Sequence, residues 1–170
     1  QAVAMGFIKT GGYRPAQIGA ETGVAVAVDT AGVLRLIDWS LAMEQADAPH
    51  RDRYPDVMVT GPMLLRGGRS LIPWDSTAPR HPRSCVGTKA DGTVLLMVVD
   101  GRQSRAAGMA LCELAYAARL MGAADAINLD GGGSSTLWTK GQGIVNAPSD
   151  RMLFFRSERP VCNAIVVKRK

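Results

Sequence analysis

The stretch that decides the fold opens as Val94-Leu95-Leu96-Met97-Val98-Val99-Asp100-Gly101-Arg102. It continues through Leu111-Cys112-Glu113-Leu114-Ala115-Tyr116-Ala117-Ala118-Arg119-Leu120 and closes as Ala126-Ile127-Asn128-Leu129-Asp130-Gly131-Gly132-Gly133-Ser134-Ser135. The first segment is a short apolar run stopped by Asp-Gly, the pattern of a strand over 94–99. In the second, Leu111, Leu114, Ala115 and Ala118 fall at helical spacing, and Met109, Cys112, Tyr116 and Leu120 form a second apolar stripe beside them. That spacing predicts a helix over 108–121, with Gly122 as its stop and Arg119 placed for the negative end of the helix dipole. The third segment reads as a strand over 126–129. Strand, helix, strand is a β-α-β unit, and such units carry parallel strands joined by a right-handed crossover. Parallel strands end on one edge of the sheet, so Asp100 and Asp130 are expected to face a common crevice.

Around this unit the chain reads as hairpins. Val24, Val26 and Val28 alternate with small residues, Asp29 to Gly32 form a turn, and Val33 to Ile37 return. Met63 to Leu65 with Leu71-Ile72, and Ser84 to Gly87 with Val94 to Val99, give two more. Trp74 to Pro82 is a loop, and the polar stretch 41–55 is a surface connection. Thr136 to Trp138 and Cys162 to Val167 are expected as closing strands. The fold class is therefore α+β: a mixed β-sheet with packed helices, containing the one β-α-β crossover flanked by hairpins.

The chain has 170 residues, 46% apolar, 21% charged and 5% aromatic, which suits a single domain over 1–170. No run approaches the roughly 20 uncharged apolar residues of a membrane span, and nothing repeats at a fixed period. The net charge of +5 favours an anionic partner. Its arginines lack interleaved aromatics, so a small anionic substrate fits better than nucleic acid. Cys85, Cys112 and Cys162 are neither a disulfide framework nor a zinc pattern, although one disulfide is open to them. The chain opens on Gln1 without a signal-peptide pattern and reads as a processed product or a piece of a longer one.

Candidate chemistry collects at the two Asp-Gly turns. Glycine after each acid allows a close approach to a ligand. The run Gly131 to Gly133 with Ser134 and Ser135 can aim backbone N–H groups and hydroxyls at an anion, or can simply be a tight turn. It lacks the spacing of the dinucleotide and phosphate-loop motifs. Glu113 is the helix's one acid: either a solvated residue or a cleft carboxylate with a raised pKa able to act as an acid. His50 and His81 are the histidines, and His81 shares a turn with Arg80 and Arg83. A triad of Ser134, His81 and Asp100 can be composed on paper, with no geometry in the sequence to support it.

Several ordered motifs resemble the phosphodiester glycosidase family. They are Arg80-His81-Pro82-Arg83-Ser84, Val98-Val99-Asp100-Gly101-Arg102, Glu113-Leu114-Ala115 and Asn128 to Thr136, followed by Val145-Asn146-Ala147-Pro148-Ser149-Asp150 and Glu158-Arg159-Pro160-Val161. Gly61-Pro62-Met63-Leu64 extends the likeness, which runs from about Gly61 to Val167. The family's upstream Asn-Gly-Gly-Phe-Phe-like motif has only a faint echo in Gly11-Gly12-Tyr13, so the domain is expected to lack its N-terminal portion.

The resemblance implies a hydrolase that cleaves a sugar-1-phosphodiester and releases the sugar, in a secreted, periplasmic or cell-envelope setting. A non-catalytic carbohydrate- or phosphate-binding module of an envelope or exopolysaccharide system is the alternative. It further implies arginines that clamp the phosphate, Arg83 and Arg102 first and Arg159 third, with His81 beside them. Gly132, Gly133, Ser134 and Ser135 would hold phosphate oxygens. Asp130, then Asp100, would act as base or charge stabiliser, with Glu113 as acid. No cofactor is required, while Asp100, Asn128 and Asp130 are hard oxygen donors suited to calcium or magnesium.

Overall fold

The structure is a computed structural model that describes residues 4–13, 17–18, 22–40, 43, 52–152, 155–156 and 158–168. His50 and most of the expected connection over 41–55 lie outside the described residues. The strands run β1 (Ala4–Met5), β2 (Ile8–Lys9), β3 (Gln17–Ile18), β4 (Thr22–Val28), β5 (Leu34–Ser40), β6 (Asp56–Thr60), β7 (Met63–Arg66) and β8 (Arg69–Ser70). They continue as β9 (Arg83–Thr88) and β10 (Val94–Val99), then, after the helix α1 (Leu111–Leu120), β11 (Asp125–Asn128). Short pairs close the list: β12 (Trp138–Thr139) with β13 (Gly143–Ile144), and β14 (Arg151–Met152) with β15 (Phe155–Arg156).

Two sheets carry the fold, one of five strands in the order β10-β9-β11-β7-β8 and one of four in the order β2-β6-β4-β5. Every pairing in both is antiparallel. A parallel pairing occurs between β1 and β3, so sheet polarity is mixed across the chain but not within its two main sheets. Side chains alternate as period two requires. On β4 and β5, Val24, Val26, Leu34 and Leu36 face the larger sheet and pack with Met63, Val86 and Ile127. Ala25, Ala27, Ile37 and Trp39 face away and form a second core with Phe7, Tyr54 and Val57. The opposite face of the larger sheet is covered by α1, whose Leu114, Ala115 and Ala118 bury against Leu64, Cys85 and Ala126. Helix, five-stranded sheet and four-stranded sheet are thus three stacked layers, with one α-helix among the described residues.

The expected hairpins form. In the first, Asp29 accepts hydrogen bonds from the Ala31 and Val33 N–H groups, which closes its turn. Three expectations need correction. "Packed helices" overstates the helical part, which is α1 and a 3-10 turn at Gly132–Ser134. The strands 94–99 and 125–128 are not direct partners: β9 lies between them and runs antiparallel to both. The hairpin that precedes the helix has already placed β9 beside β10, so the chain returns on β9's far edge. β10 and β11 still point the same way, because each opposes the same strand. Finally, no strand forms among the described residues of 158–168, where an expected closing strand would lie.

Candidate functional site

The C-terminal ends of β10 and β11 and the N-terminal end of β9 meet at one edge of the larger sheet. Val99 lies opposite Arg83 and Asn128 opposite Cys85. Asp100 and Asp130 therefore leave the sheet on the same side, separated by the segment that leads into β9. Pro82, fully buried, is the hub of this edge. A Cβ on Gly101 would stand 2.6 Å from Pro82 N, and one on Gly131 would stand 2.8 Å from the Pro82 carbonyl oxygen. That carbonyl also accepts the Gly132 N–H at 2.9 Å. Both Asp-Gly turns are thus pressed onto one proline, which brings the two acids to one site.

Arginines surround them. Arg83, half-buried, donates its Nε to the Met109 carbonyl at 3.0 Å and lies against Gly131. Burial, and then the charge of Arg102, lower its guanidinium from the ordinary value, which places Arg102 within electrostatic reach. Arg102 adopts φ +56°, a left-handed conformation that is uncommon for a side-chain-bearing residue and recurs at functional sites. Its guanidinium rests over Gly132, where a Cβ would stand 3.1 Å from Nη1, and Gly132 itself has φ +61°. Arg102 Nη2 also lies 3.3 Å from His81 Nδ1, a hydrogen bond when that nitrogen is the unprotonated acceptor. Arg159 grips Asp150 in a two-pronged pair, Nε to Oδ2 at 2.8 Å and Nη2 to Oδ1 at 3.1 Å. That bond and the Asp150 charge raise the Arg159 pKa, and Asp130 adds to the rise.

The two acids differ in environment. Asp130 is exposed, and its Oδ1 accepts the N–H of its own neighbour Gly131 at 2.8 Å. Asp100 is half-buried, and its Oδ1 takes the Asn146 Nδ2 at 3.0 Å and the Ala147 N–H at 2.9 Å. Asn146 also donates to the Ser135 carbonyl and accepts the Leu137 N–H, so it ties Asp100 to the glycine-rich loop. Asn146 and Asp150 were not among the expected site residues. Their one signal was membership of the motif 145–150, because neither belongs to a regular strand or helix.

Some expected roles do not survive the geometry. The Gly131–Ser135 run was expected to offer a cradle of N–H groups. Instead Gly131 N–H goes to Asp130, Gly132 N–H to Pro82, Ser134 N–H to Gly131 and Ser135 N–H to Gly132. Gly133 packs against the Asp150 carboxylate so tightly that a Cβ would overlap it. Four of the five N–H groups are thus spent within the protein, and the loop lies as a floor beneath the Arg102 guanidinium. Glu113 is likewise not a raised-pKa acid. It accepts Arg80 Nε at 2.9 Å, pairs with Arg80 Nη2, and accepts the Ala110 N–H at 2.9 Å. The Arg80 bond and then the Ala110 bond lower its pKa. It supplies the N3 half of a capping box at the start of α1, accepting the N–H of the N-cap residue Ala110, which has no side-chain oxygen to cap the first turn in return.

Asp100 and His81 spend their described bonds on Asn146, Ala147 and Arg102, so no hydrogen bond joins them as a triad among the described residues. Nor, among the described residues, do three His, Cys, Asp or Glu side chains gather in a metal-binding arrangement. Asn128 turns its amide nitrogen to the Gly61 and Leu129 carbonyls, and its buried Oδ1, like Ser135 Oγ, has no protein partner. The three cysteines are free thiols. Burial pushes Cys85 up to about 12, so it is inert packing.

A three-layer fold thus brings two acids and three arginines together near one sheet edge, and the wider comparison places it. The sequence matches the phosphodiester glycosidase family over residues 2–168, and the chain belongs to that family. Among solved structures it is similar to the zebrafish N-acetylglucosamine-1-phosphodiester alpha-N-acetylglucosaminidase catalytic domain auto-inhibited by its pro-peptide. The TM-score is 0.75 at 24% identity, over 92% of this chain and 55% of that one. It is also 36% identical over 76 residues to the SPbeta prophage-derived protein YomE of Bacillus subtilis, covering 45% of this chain and 12% of that protein. The chain thus spans only part of the length of both relatives. The family supports a hydrolase of phosphodiester glycosidase type. No helix among the described residues is long and apolar enough to cross a membrane.

Proposed function

We propose that the protein hydrolyses a glycosyl-1-phosphodiester at the sugar's anomeric carbon, with Arg83 and Arg102 binding the phosphate, Arg159, fixed by Asp150, adding positive charge beside them, and Asp130 activating water. The observation that carries this reading is the gathering of arginines about the turn that holds Asp130: the Arg102 guanidinium over Gly132, the Arg83 Cα and Cδ against Gly131, and Arg159, paired with Asp150, within the field of Asp130. A phosphodiester carries one negative charge, and planar guanidinium forks match its oxygens.

The chemistry follows from the arrangement. Water's oxygen attacks the anomeric carbon while its proton passes to a carboxylate, and the carbon–oxygen bond to phosphorus breaks with its electron pair going to the phosphate. The departing phosphate monoester has a second pKa of about 6, so near neutral pH it leaves as a stable dianion. Arginines stabilise that developing charge, and no general acid is needed. This agrees with Glu113 being tied to Arg80. Asp130, exposed and holding one local hydrogen bond, is the better base. Asp100, held by two donors, is suited to stabilising positive character at the sugar carbon or fixing the wall of the site. No step is assigned to a metal. The same reading puts the protein in a secreted or cell-envelope setting, with small or polymeric glycosyl phosphodiesters as substrates.

The test is release of reducing sugar and phosphate monoester from methyl esters of sugar 1-phosphates, assayed in the wild type and in Asp130→Asn. Loss of the base is expected to lower kcat about 10²- to 10⁴-fold with an unchanged melting temperature. Asp130→Asn that turns over like the wild type, or ester binding without release in the wild type, would overturn the assignment; the latter would favour a binding module.

A further inference from the structure

A groove of about 350 Å³ adjoins the site, walled by Ile72, Pro73, Ala78, Pro79 and Leu111, with Arg83 as its single cation. We infer that this groove is the subsite for the phosphate's second ester arm and that it selects an apolar, alkyl-type arm. The inference rests on the hydrolase reading above, which it deepens by naming the chemistry of the group that keeps the phosphate.

Arg83 is the geometric link. It lines the groove and also lies against Gly131, beside Asp130. With Nε committed to the Met109 carbonyl, its remaining donors serve an anion. A phosphodiester bound there has two arms. One must present its anomeric carbon to the acids, and the groove accommodates the other. The volume lies within the roughly 300–1,000 Å³ typical of small-ligand pockets.

The lining argues for the character of that arm. Besides Arg83 it includes one charged group, Asp75, whose Oδ1 accepts the Thr77 N–H at 2.8 Å and the Thr77 hydroxyl at 2.7 Å and so shapes its own turn. Arg80, the neighbouring arginine in sequence, is held by Glu113. A polymer arm bearing a further phosphate would thus meet a carboxylate and no available cation in the groove. Apolar surface continues outward instead, with Leu71 and Trp74 of the same loop standing 51% and 67% exposed.

The experiment compares methyl, butyl, octyl and glyceryl esters of one sugar 1-phosphate as substrates of the 170-residue chain. For each methylene that becomes fully buried, kcat/KM is expected to rise about fourfold, chiefly through KM, because the arm is bound equally before and during reaction. The glyceryl ester should fall with the methyl ester. Ala78→Glu, which puts a carboxylate into the groove, should flatten the series; should that variant fail to fold, the wild-type series decides alone. Cleavage of all four esters at rates within twofold would overturn the subsite while leaving the hydrolase reading intact. If no ester is cleaved, the hydrolase reading falls, and the groove is read by binding of octyl phosphate against methyl phosphate. Tighter binding of the octyl compound, weakened in Ala78→Glu, supports the subsite, and equal affinity overturns it.

Discussion

Replacing Gly101 by alanine tests the geometry that brings the two acids together. The added methyl would lie 2.6 Å from Pro82 N and 2.9 Å from both Pro82 Cδ and Gly108 Cα. The shortest of these falls short of the ~3.5 Å optimal contact by roughly 0.9 Å. The obstructing atoms are mostly backbone, so relief requires the Asp100–Gly101 turn to move away from Pro82. Gly101 is not among the glycines with positive φ, and the cost is therefore steric rather than conformational. Overpacking of this kind destabilises by about 1–3 kcal/mol, a fall of roughly 2–12 °C in melting temperature for a chain of this size. The displacement approaches the ~1 Å that can cost about 100-fold in rate. Gly92→Ala is the control: that glycine has φ +85° with nothing within 4 Å of a Cβ, so alanine pays only the left-handed strain of about 1–2 kcal/mol. Calorimetry and ester hydrolysis are measured on both. Equal loss of stability with activity lost only in Gly101→Ala is the expected pattern. A Gly101→Ala protein that is as active as Gly92→Ala would refute the packing of this turn on Pro82.

Asn146→Ala removes bonds to Asp100, Ser135 and Leu137 and should cost about 1–3 kcal/mol and lower kcat; Asn146→Asp, which sets two carboxylates together, should be worse, and unchanged melting in both would contradict the assigned bonds. Inorganic phosphate should stabilise the protein, by about 2.7 kcal/mol at a hundred times its Kd, with the shift in melting temperature reduced in Arg83→Ala and Arg102→Ala; an equal shift in both variants would remove the arginines from anion binding. The Glu113 carboxyl is held below its ordinary value chiefly by Arg80. Its contribution to stability is therefore present above the unfolded-state pKa and lost as pH falls through the lowered folded-state value. The melting-temperature gap between wild type and Glu113→Gln should be full at neutral pH and close below the ordinary carboxylate range; a gap that widens on acidification contradicts the sign.

Local periodicity made much of the fold legible. Val24 and Val26 alternate with Ala25 and Ala27, and that alternation predicts the strand, whose two faces both prove buried in the structure. Pairing order was not legible, because the choice of β11 to join β9 rather than β10 is made by contacts some forty residues apart along the chain. The start of α1 was placed three residues early for a nearby reason. Gly108 sits against the His81 backbone, Met109 exchanges hydrogen bonds with His81, and Ala110 is still extended. Asp100 and Asp130 could be paired from sequence because strand direction survives the insertion of β9. The environment of Glu113 could not, since the sign of its shift depends on Arg80, thirty-three residues away.

The segment Arg80 to Arg83 shows how the site is assembled. From sequence, two guanidinium groups in one turn suggest two anion ligands. The structure gives the two arginines different partners at the start of α1. Arg80 points to Glu113 and fastens the N-terminus of α1. The His81 N–H and carbonyl pair with Met109, which carries the chain into that helix. Pro82, with no N–H of its own, presents a bare surface on which both Asp-Gly turns can close. Arg83, entering β9 on the helix-facing side, donates to the Met109 carbonyl and reaches Gly131 and the groove. Because Arg80 is bonded to Glu113 and Arg83 Nε to the Met109 carbonyl, both arginines depend on how this segment lies against the start of α1. Loss of anion binding and loosening of α1 should therefore appear together in an insertion between Thr77 and Arg80, although neither Arg83 nor Glu113 is altered. Hydrogen exchange at α1 and phosphate binding, measured on the same insertion variant, test that coupling; one effect without the other would show that the two arginines act independently.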